Sequence, residues 1–381
     1  MKKYIPILAL LNVFTLTMCA KPVPNEVNIS TDELPSTFSV HTTAQVELLT
    51  SSDMDHLVGS DVMYGRRSLS KPNPLHLSWS ESNDINQDAD RYEVLVSEDN
   101  SFTNPIKYTV TDKSLDIYNL KINTPYYFRV DSIHGKASFP SSVLTYTIED
   151  VAPRNIYIDG VENVRDLGGW TLDNGKTYKQ GLIYRTGQFN YGGGLNTYQS
   201  APTEQGLKTL KEELRIKTDI DLRKNKAVFH EDEINSITAS PIGDDVNYVA
   251  CPMRFGNENI FTQEINKNSV RLFFTTLADI NNYPVVFHCM RGTDRTGALA
   301  YVLGALVGMS KEQLLRDYMF SNIANIGSRV YTSGITGEGF YVQGIDNSEG
   351  STLSEKTKNY LITTCGVDAS TIDTVVDILT D

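Results

Sequence analysis

Cys289 and Arg295 bracket a short loop between a candidate strand and a candidate helix. Residues 284 to 300 read PVVFHCMRGTDRTGALA. The apolar run Val285-Val286-Phe287 has the look of a buried strand and stops at His288-Cys289. Gly292 follows, then Arg295-Thr296-Gly297, then a helical stretch rich in Ala and Leu. Strand, tight loop and helix N-terminus together make an anion site. Backbone N–H groups converge there, and the helix dipole favours negative charge. A thiol beside a guanidinium at a helix N-terminus should be held as a thiolate. Arg295 can take two oxygens of a phosphate at once. The N–H groups of Met290, Arg291, Gly292, Thr293, Asp294 and Arg295 would meet the oxygens, and Gly292 would let the backbone come close. The chemistry implied is in-line attack on a phosphate ester, giving a cysteinyl-phosphate. The competing reading is a reduced core cysteine before an ordinary helix.

The elements that must position this loop lie in a chain of 381 residues with 40% hydrophobic content, room for two domains. A net charge of −13 excludes a general nucleic-acid binder but leaves room for a local positive site. The four cysteines are Cys19, Cys251, Cys289 and Cys365, none in a C-x-x-C pair. Neither a zinc site nor a disulfide framework is expected. Cys251 and Cys365 are expected to be plain buried residues; either one close to Cys289 would make the thiol oxidisable.

At the N-terminus, Lys2 and Lys3 precede an apolar run from Ile5 to Met18. This reads as a signal peptide over residues 1–18, too short to span a bilayer comfortably. Leu16-Thr17-Met18-Cys19 resembles a bacterial lipoprotein box with Cys19 as the lipidated residue. Ordinary signal cleavage nearby is the alternative. Residues 19–30 read as a tether. The expectation is export to the bacterial cell envelope, periplasmic or surface, with membrane association through the lipid anchor, or else secretion.

Residues 31–150 show period-two patterning. Leu75, Leu77 and Trp79 alternate with polar residues, as do Tyr92, Val94 and Val96, and Tyr126, Phe128 and Val130. Turn clusters separate these runs, which suggests an all-β sandwich. Trp79, Tyr92, Leu120 and Tyr126 match core positions of fibronectin type III domains, which this stretch resembles. It is expected to act as a spacer rather than a contacting module.

From Asn155 on, the chain resembles the cysteine-based protein tyrosine phosphatases. His288-Cys289-x-x-Gly292-x-x-Arg295-Thr296 matches their H-C-x-x-G-x-x-R-[ST] loop. Asn163, Arg165, Asp166, Leu167, Gly168 and Gly169 resemble the N-x-R-D-L-G-G opening of a bacterial branch of secreted tyrosine and lipid phosphatases. Tyr184-Arg185-Thr186, Asp221-Leu222-Arg223 and Asp317-Tyr318 with Ser321-Asn322 resemble further segments of that branch. The fold expected for residues 151–381 is an α/β phosphatase domain, a mostly parallel sheet flanked by helices. Cys289 would sit at the strands' C-terminal ends. Expected strands are Ile216–Leu222, Val246–Ala250 and the run at Val285. Expected helices start at Thr203, Val270, Thr296, Leu353 and Ser370. His288, Arg165, Asp166, Asp221 and Arg223 are expected to support the loop by pairing with one another and with its carbonyls.

The resemblance implies Cys289 as nucleophile, Arg295 as phosphate clamp, Thr296 as hydrogen-bond partner of the sulfur, and no metal or other cofactor. Asp294, inside the loop, is the expected general acid, with Asp232, Asp244 and Asp245 as alternatives. Relatives often carry Lys where this chain has Thr293, a residue linked to inositol-lipid phosphates. Thr293 therefore favours phosphotyrosine, with added activity on phosphoserine or phosphothreonine open, over a phosphoinositide or other small phosphomonoester. Arg291 would add positive charge at the rim. A reading of a different class is a non-catalytic, surface-anchored binding lipoprotein.

Overall fold

The computed structural model describes residues 26–31, 34, 38–52, 71–82, 88–148, 150–190, 201–224, 237–256, 258–324 and 334–381. The expected signal peptide, Cys19, the glycine-rich run Tyr191–Gly194 and Asp232 lie outside them.

The first unit is a β-sandwich. One sheet has the order β1-β2-β5 (Glu26–Ile29, Leu75–Ser82, Ser114–Ile117). The other runs β4-β3-β6-β7 (Ile106–Val110, Arg91–Ser97, Thr124–His134, Ala137–Pro140), and β8 (Leu144–Ile148) also pairs with β6. The period-two reading has its cause here. Leu75, Leu77 and Trp79 point inward while His76 and Ser80 face solvent, because successive side chains of a strand leave opposite faces. Trp79 meets Tyr92 edge-on at 5.4 Å between ring centroids. The Tyr126 hydroxyl accepts a hydrogen bond from the backbone N–H of Lys121 at 2.8 Å, fixing a corner of the sandwich. One boundary differs from expectation. Glu26–Ile29, placed in the tether by composition, is the strand β1 and pairs antiparallel with β2. Its polar residues alternate with a buried Val27, a pattern too short to stand out in sequence.

The second unit holds a five-stranded sheet of order β12-β11-β13-β10-β9. The strands β10 (Ile183–Thr186), β11 (Thr218–Asp221), β12 (Asn247–Ala250) and β13 (Val285–His288) are parallel; the short β9 (Arg165–Asp166) is antiparallel. Asp221 stands opposite both His288 and Ala250, so the C-terminal strand ends share one level. Helix α2 (Glu204–Lys208) is capped by the Thr203 side chain and continues as a π-turn through Thr209–Glu213. Helix α3 (Glu264–Leu277) starts and ends earlier than its apolar spacing suggested. Helix α4 (Asp294–Val307) is buried almost all round, as its composition implied. Helix α5 (Lys311–Phe320), α6 (Tyr341–Asp346), α7 (Leu353–Tyr360) and α8 (Ala369–Leu379) complete the layer. No described helix is long and apolar enough to cross a membrane.

The sandwich is docked on the α/β unit rather than held off it. Buried side chains of both units form one contiguous core cluster. The Gln180 side chain accepts from Ile122 N–H at 3.0 Å and donates to Ile122 carbonyl at 2.8 Å. Asn119 makes the same two-way bond with the backbone of Tyr157. Arg154, in the connecting segment, donates to the Asn119 carbonyl and to Asp166. The β-sandwich, expected as a spacer, is thus packed directly on the α/β unit.

A strap joins the units on another side. His41 is buried, its Nδ1 3.0 Å from Asp150 and its Nε2 2.8 Å from the Pro153 carbonyl. Helix α1 (Thr43–Thr50), opened by a Thr42–Gln45 capping box, then lies on α5. Arg316 of α5 donates to the carbonyls of Leu48 and Ser51, closing the C-terminal end of α1. Arg316→Ala should remove both of these bonds and cost about 1–3 kcal/mol. Thermal unfolding should fall by several degrees; an unchanged midpoint would show that the strap is not part of the folded unit.

Candidate functional site

Cys289 follows the last residue of β13, and Asp294 opens α4, so the loop 289–293 is a strand-to-helix crossing. Its shape is set from outside. The carbonyl of Met290 accepts from Gln188 N–H at 3.1 Å. The Arg291 carbonyl accepts from the Asn163 side chain at 2.9 Å. The Gly292 carbonyl accepts from Arg185 at 2.8 Å, and the Thr293 carbonyl from the same nitrogen at 3.4 Å. In a trans peptide the N–H points opposite to the preceding C=O. With four successive carbonyls held outward, the N–H groups of residues 291 to 294 are turned to the sulfur side. Gly292 is required: its φ is +73°, and a Cβ there would lie 2.3 Å from the Thr186 carbonyl oxygen.

The residues that hold the loop are themselves braced by buried charge. Asp317 of α5 accepts from Arg165 at 2.7 Å and from Arg185 by a second oxygen. Arg165 also donates to Asn163, to the Asp317 carbonyl and to Ser321 at 3.1 Å. Both arginines are fully buried. Burial pushes the Asp317 carboxyl up, but the two guanidiniums outweigh it and hold it below the ordinary range. Removing one partner from such a group leaves a buried charge uncompensated.

A second brace lies on the other side. Arg223 grips Asp221 through Nε and a terminal nitrogen, at 2.9 and 2.7 Å, and donates to Asn190 at 2.7 Å. His288 is fully buried, with Nε2 3.1 Å from Asp219, though poorly aligned, and Nδ1 3.2 Å from the Cys289 carbonyl. Burial opposes its charged form, yet Asp221 and Asp219 outweigh burial and raise its pKa. His288 thus anchors the carbonyl of the nucleophile's own residue.

The Cys289 thiol is buried. Burial pushes its pKa up; the charge of Arg295 and the hydroxyl and N–H of Thr296 pull it down more, and Asp294 opposes them weakly. The result lies below the ordinary cysteine value. The Thr296 hydroxyl is buried, and its interaction with the sulfur is among the causes that lower the thiol's pKa. Arg295 uses one terminal nitrogen on the carbonyls of Leu222 and Met253, at 3.2 and 3.1 Å. Its Nε is buried and unpartnered among the described residues. Cys289, Met290, Arg291, Asp294, Arg295 and Phe255 line one open cleft of about 240 Å³.

The structure therefore gathers Cys289, Asp294, Arg295 and Thr296 at one point, with Met290 to Arg295 around it. Other expected residues stand elsewhere. Asp166 faces away from the loop: it pairs with Arg154 at 2.7 Å and accepts from Gly168 and Gly181 N–H. Arg165 and Asp166 are neighbours on a strand and leave opposite faces. Thr293 is fully buried, with its hydroxyl 3.5 Å from Asn163, so position 293 does not present its side chain to the cleft. Asp244 and Asp245 precede β12 and so lie at the N-terminal ends of the parallel strands, a strand's length of about 13 Å from the cleft end. Asp245 pairs there with Lys211. Cys251 and Cys365 are buried and free, and neither is bridged to Cys289. Phe255, Gln188 and Asp219 were missed. Gln188 and Asp219 follow from strand position once the loop is placed; Phe255 carried no pattern at all.

If this electrostatic balance holds, iodoacetamide should label Cys289 selectively. Burial pushes the thiol of Cys365 up to about 12 and that of Cys251 higher still. Because the Cys289 pKa is lowered, labelling should persist below the usual thiol range and fade only as pH drops through the lowered value. Thr296→Val should raise that value and slow labelling at neutral pH. Identical profiles for the two proteins would show that Thr296 does not stabilise the thiolate.

The tyrosine phosphatase family model matches residues 156–381, and the fibronectin type III domain model matches residues 68–147. A Cupriavidus necator protein named "Putative tyrosine-protein phosphatase" is 23% identical over 193 residues, covering 45% of this chain. The match spans 64% of that relative's length, less than two thirds of it. Among solved structures, the core catalytic domain of the PP-IP phosphatase SIW14 of S. cerevisiae, in complex with citrate, aligns at 16% identity and a TM-score of 0.27. It covers 42% of this chain and 77% of that one. TpbA of P. aeruginosa, in complex with pTyr, aligns at 18% identity and a TM-score of 0.27, covering 39% and 75%.

Proposed function

The chain belongs to the tyrosine phosphatase family, and from that premise we propose that it hydrolyses phosphotyrosine through a cysteinyl-phosphate intermediate. One observation carries the reading: a thiol of lowered pKa lies under inward-turned peptide N–H groups, flanked by a guanidinium with an unpartnered nitrogen. Three phosphoryl oxygens fit such a ring of donors, and Arg295 takes two of them. The Cys289 sulfur attacks phosphorus, and the bond to the leaving oxygen breaks as Asp294 protonates it. Water then attacks the thiophosphate, giving up a proton to Asp294; the S–P bond breaks, and the Thr296 hydroxyl receives the departing thiolate. Of the acids weighed from sequence, Asp294 is the one that lines the cleft among the described residues. Activity on phosphoserine or phosphothreonine belongs to the same proposal, because nothing in the cradle depends on the alcohol.

A phosphoinositide or other small phosphomonoester is the second reading, supported by Arg291 at the cleft wall. A binding-only lipoprotein is the third. Cys289→Ser should abolish hydrolysis of a phosphotyrosine peptide, while Asp294→Asn should slow it by about 10²-fold. The loss in Asp294→Asn should be much smaller on an activated nitrophenyl phosphate, whose leaving group needs no proton. Turnover surviving in Cys289→Ser would sink the mechanism. No turnover by wild type on peptide, nitrophenyl phosphate or phosphoinositide would favour the binding reading.

Export and anchoring at Cys19 complete the proposal, supported by the basic start, the apolar run and the Leu16–Cys19 box. Expressed in a bacterial host, the chain should fractionate with membranes and take up labelled fatty acid. Cys19→Ser should abolish both; lipid-free protein in the cytosol would contradict the assignment.

A further inference from the structure

Asn119 stands in a sandwich loop with its backbone in the left-handed region, at φ +64°. Asparagine tolerates that conformation, and here its amide reaches across to the α/β unit. It takes hold of Tyr157 twice: Oδ1 accepts from the Tyr157 N–H at 2.8 Å, and Nδ2 donates to the Tyr157 carbonyl at 3.0 Å. Nδ2 also donates to Glu213 at 3.2 Å. The ring of Tyr157 is gripped as well. It meets the Tyr118 ring at 4.8 Å between centroids, and the Lys71 ammonium lies over both rings, at 4.8 Å from Tyr118 and 4.4 Å from Tyr157. Lys71, Tyr118 and Asn119 all fall within the fibronectin type III span, whereas Tyr157 falls within the phosphatase span.

That grip stands across from a residue that aims the phosphate loop. Asn155 bridges Arg165 in antiparallel register, and Ile156 N–H donates to the Val164 carbonyl at 3.1 Å. One step further in this register, Tyr157 faces Asn163. Asn163 is itself left-handed, at φ +59°, and donates to the Arg291 carbonyl at 2.9 Å. The direction of that carbonyl fixes the opposite direction of the Gly292 N–H. Asn163's own arm of the hairpin is tied by Arg165 and by Gly187 N–H to the Glu162 carbonyl at 3.0 Å. The facing arm is held by the sandwich.

Resting on the phosphatase reading above, we infer that Asn119 is a positioning residue for the reaction: from the β-sandwich it holds the 155–165 hairpin so that Asn163 aims the Gly292 N–H at the phosphoryl group. Asn119 touches no substrate, and its effect passes through Tyr157, Asn163 and Arg291. The α/β unit then does not carry its whole site, because one brace of the phosphate loop is completed by the unit before it.

Asn119→Gly removes the amide and keeps the left-handed backbone without strain. It should raise the inhibition constant of orthovanadate about tenfold, and lower kcat/KM about equally for a phosphotyrosine peptide and for nitrophenyl phosphate, since the phosphoryl end is common to all three. The pH profile of Cys289 labelling should stay as in wild type, because Arg295 and Thr296 hold the thiolate. Gln180→Ala is the comparison: it removes two bonds across the same joint, to Ile122, without touching the hairpin. It should leave vanadate inhibition and turnover unchanged. An unmoved vanadate constant in Asn119→Gly would overturn the inference. So would an equal loss in Gln180→Ala, or a shifted labelling profile, since the joint would then act only by general loosening. Should the glycine variant fail to fold, Asn119→Asp carries the test: it keeps the acceptor for Tyr157 N–H, loses both donations, and should weaken vanadate in the same direction by less. Failure of the underlying reading looks different, for wild type itself would neither bind vanadate nor turn over either phosphate ester.

Discussion

One carboxylate between two buried guanidiniums sets up the rest. Asp317 satisfies Arg165 and Arg185 together, and each arginine spends a further donor on the phosphate-loop side: Arg165 on Asn163, Arg185 on the Gly292 carbonyl. Asn163 in turn holds the Arg291 carbonyl. The direction of three of the four peptide planes, and so the aim of their N–H groups, traces back to that one acid. A loop of this kind carries donors facing a single point, an arrangement that repels cations and has no hydrogen-bonding partner of its own when isolated. It persists because its carbonyls are tied to a network too deeply buried to exchange partners with water.

The braces come from distant parts of the chain. Asn163 precedes β9, Arg165 opens it, Arg185 lies in β10, Gln188 follows β10 and Asp317 sits on α5. The strap adds another member: α1 rests on α5, and Arg316, which closes α1, is the immediate neighbour of Asp317. Phe320 of the same helix lies against both Arg165, at 5.6 Å, and His41, at 6.2 Å. The β-sandwich, through Asn119, Ile122 and Arg154, grips the edge where Asp166 lies. The two units thus share contacts on two faces of the α/β layer.

Much of this was legible in the sequence for stated reasons. The strand before Cys289 and the helix after it were readable because a short apolar run and an all-round apolar helix leave few other packings. The sandwich was readable from Leu75, Leu77 and Trp79, whose alternation is the pleat itself. What escaped was whatever depended on which way one side chain of a pair points. Arg165 and Asp166 read alike in a motif, and only the antiparallel β9 assigns them to opposite faces. Thr293 looked like a cleft residue because its neighbours are, yet it turns inward to Asn163. Phe255 was invisible because a lone aromatic in a loop has no periodicity; only the folded chain shows it in the cleft wall beside Cys289. Strand β1 was lost in a polar stretch because a four-residue ladder buries a single valine.

That small ladder has a mechanical consequence. β1 pairs with β2 through Glu26–Ile29, and Ser30 adds one more backbone bond to Ser78, before the chain reaches the strap. Its bonds run across the direction of the chain, so a pull on the residues before Glu26 would load them together in shear rather than peel them one by one. The sandwich then bears the force, and α1, α5 and the acid beneath the cradle are shielded from it. Strain relief of this sort lets the leading segment be tugged or fixed in place while the nucleophile keeps its aim.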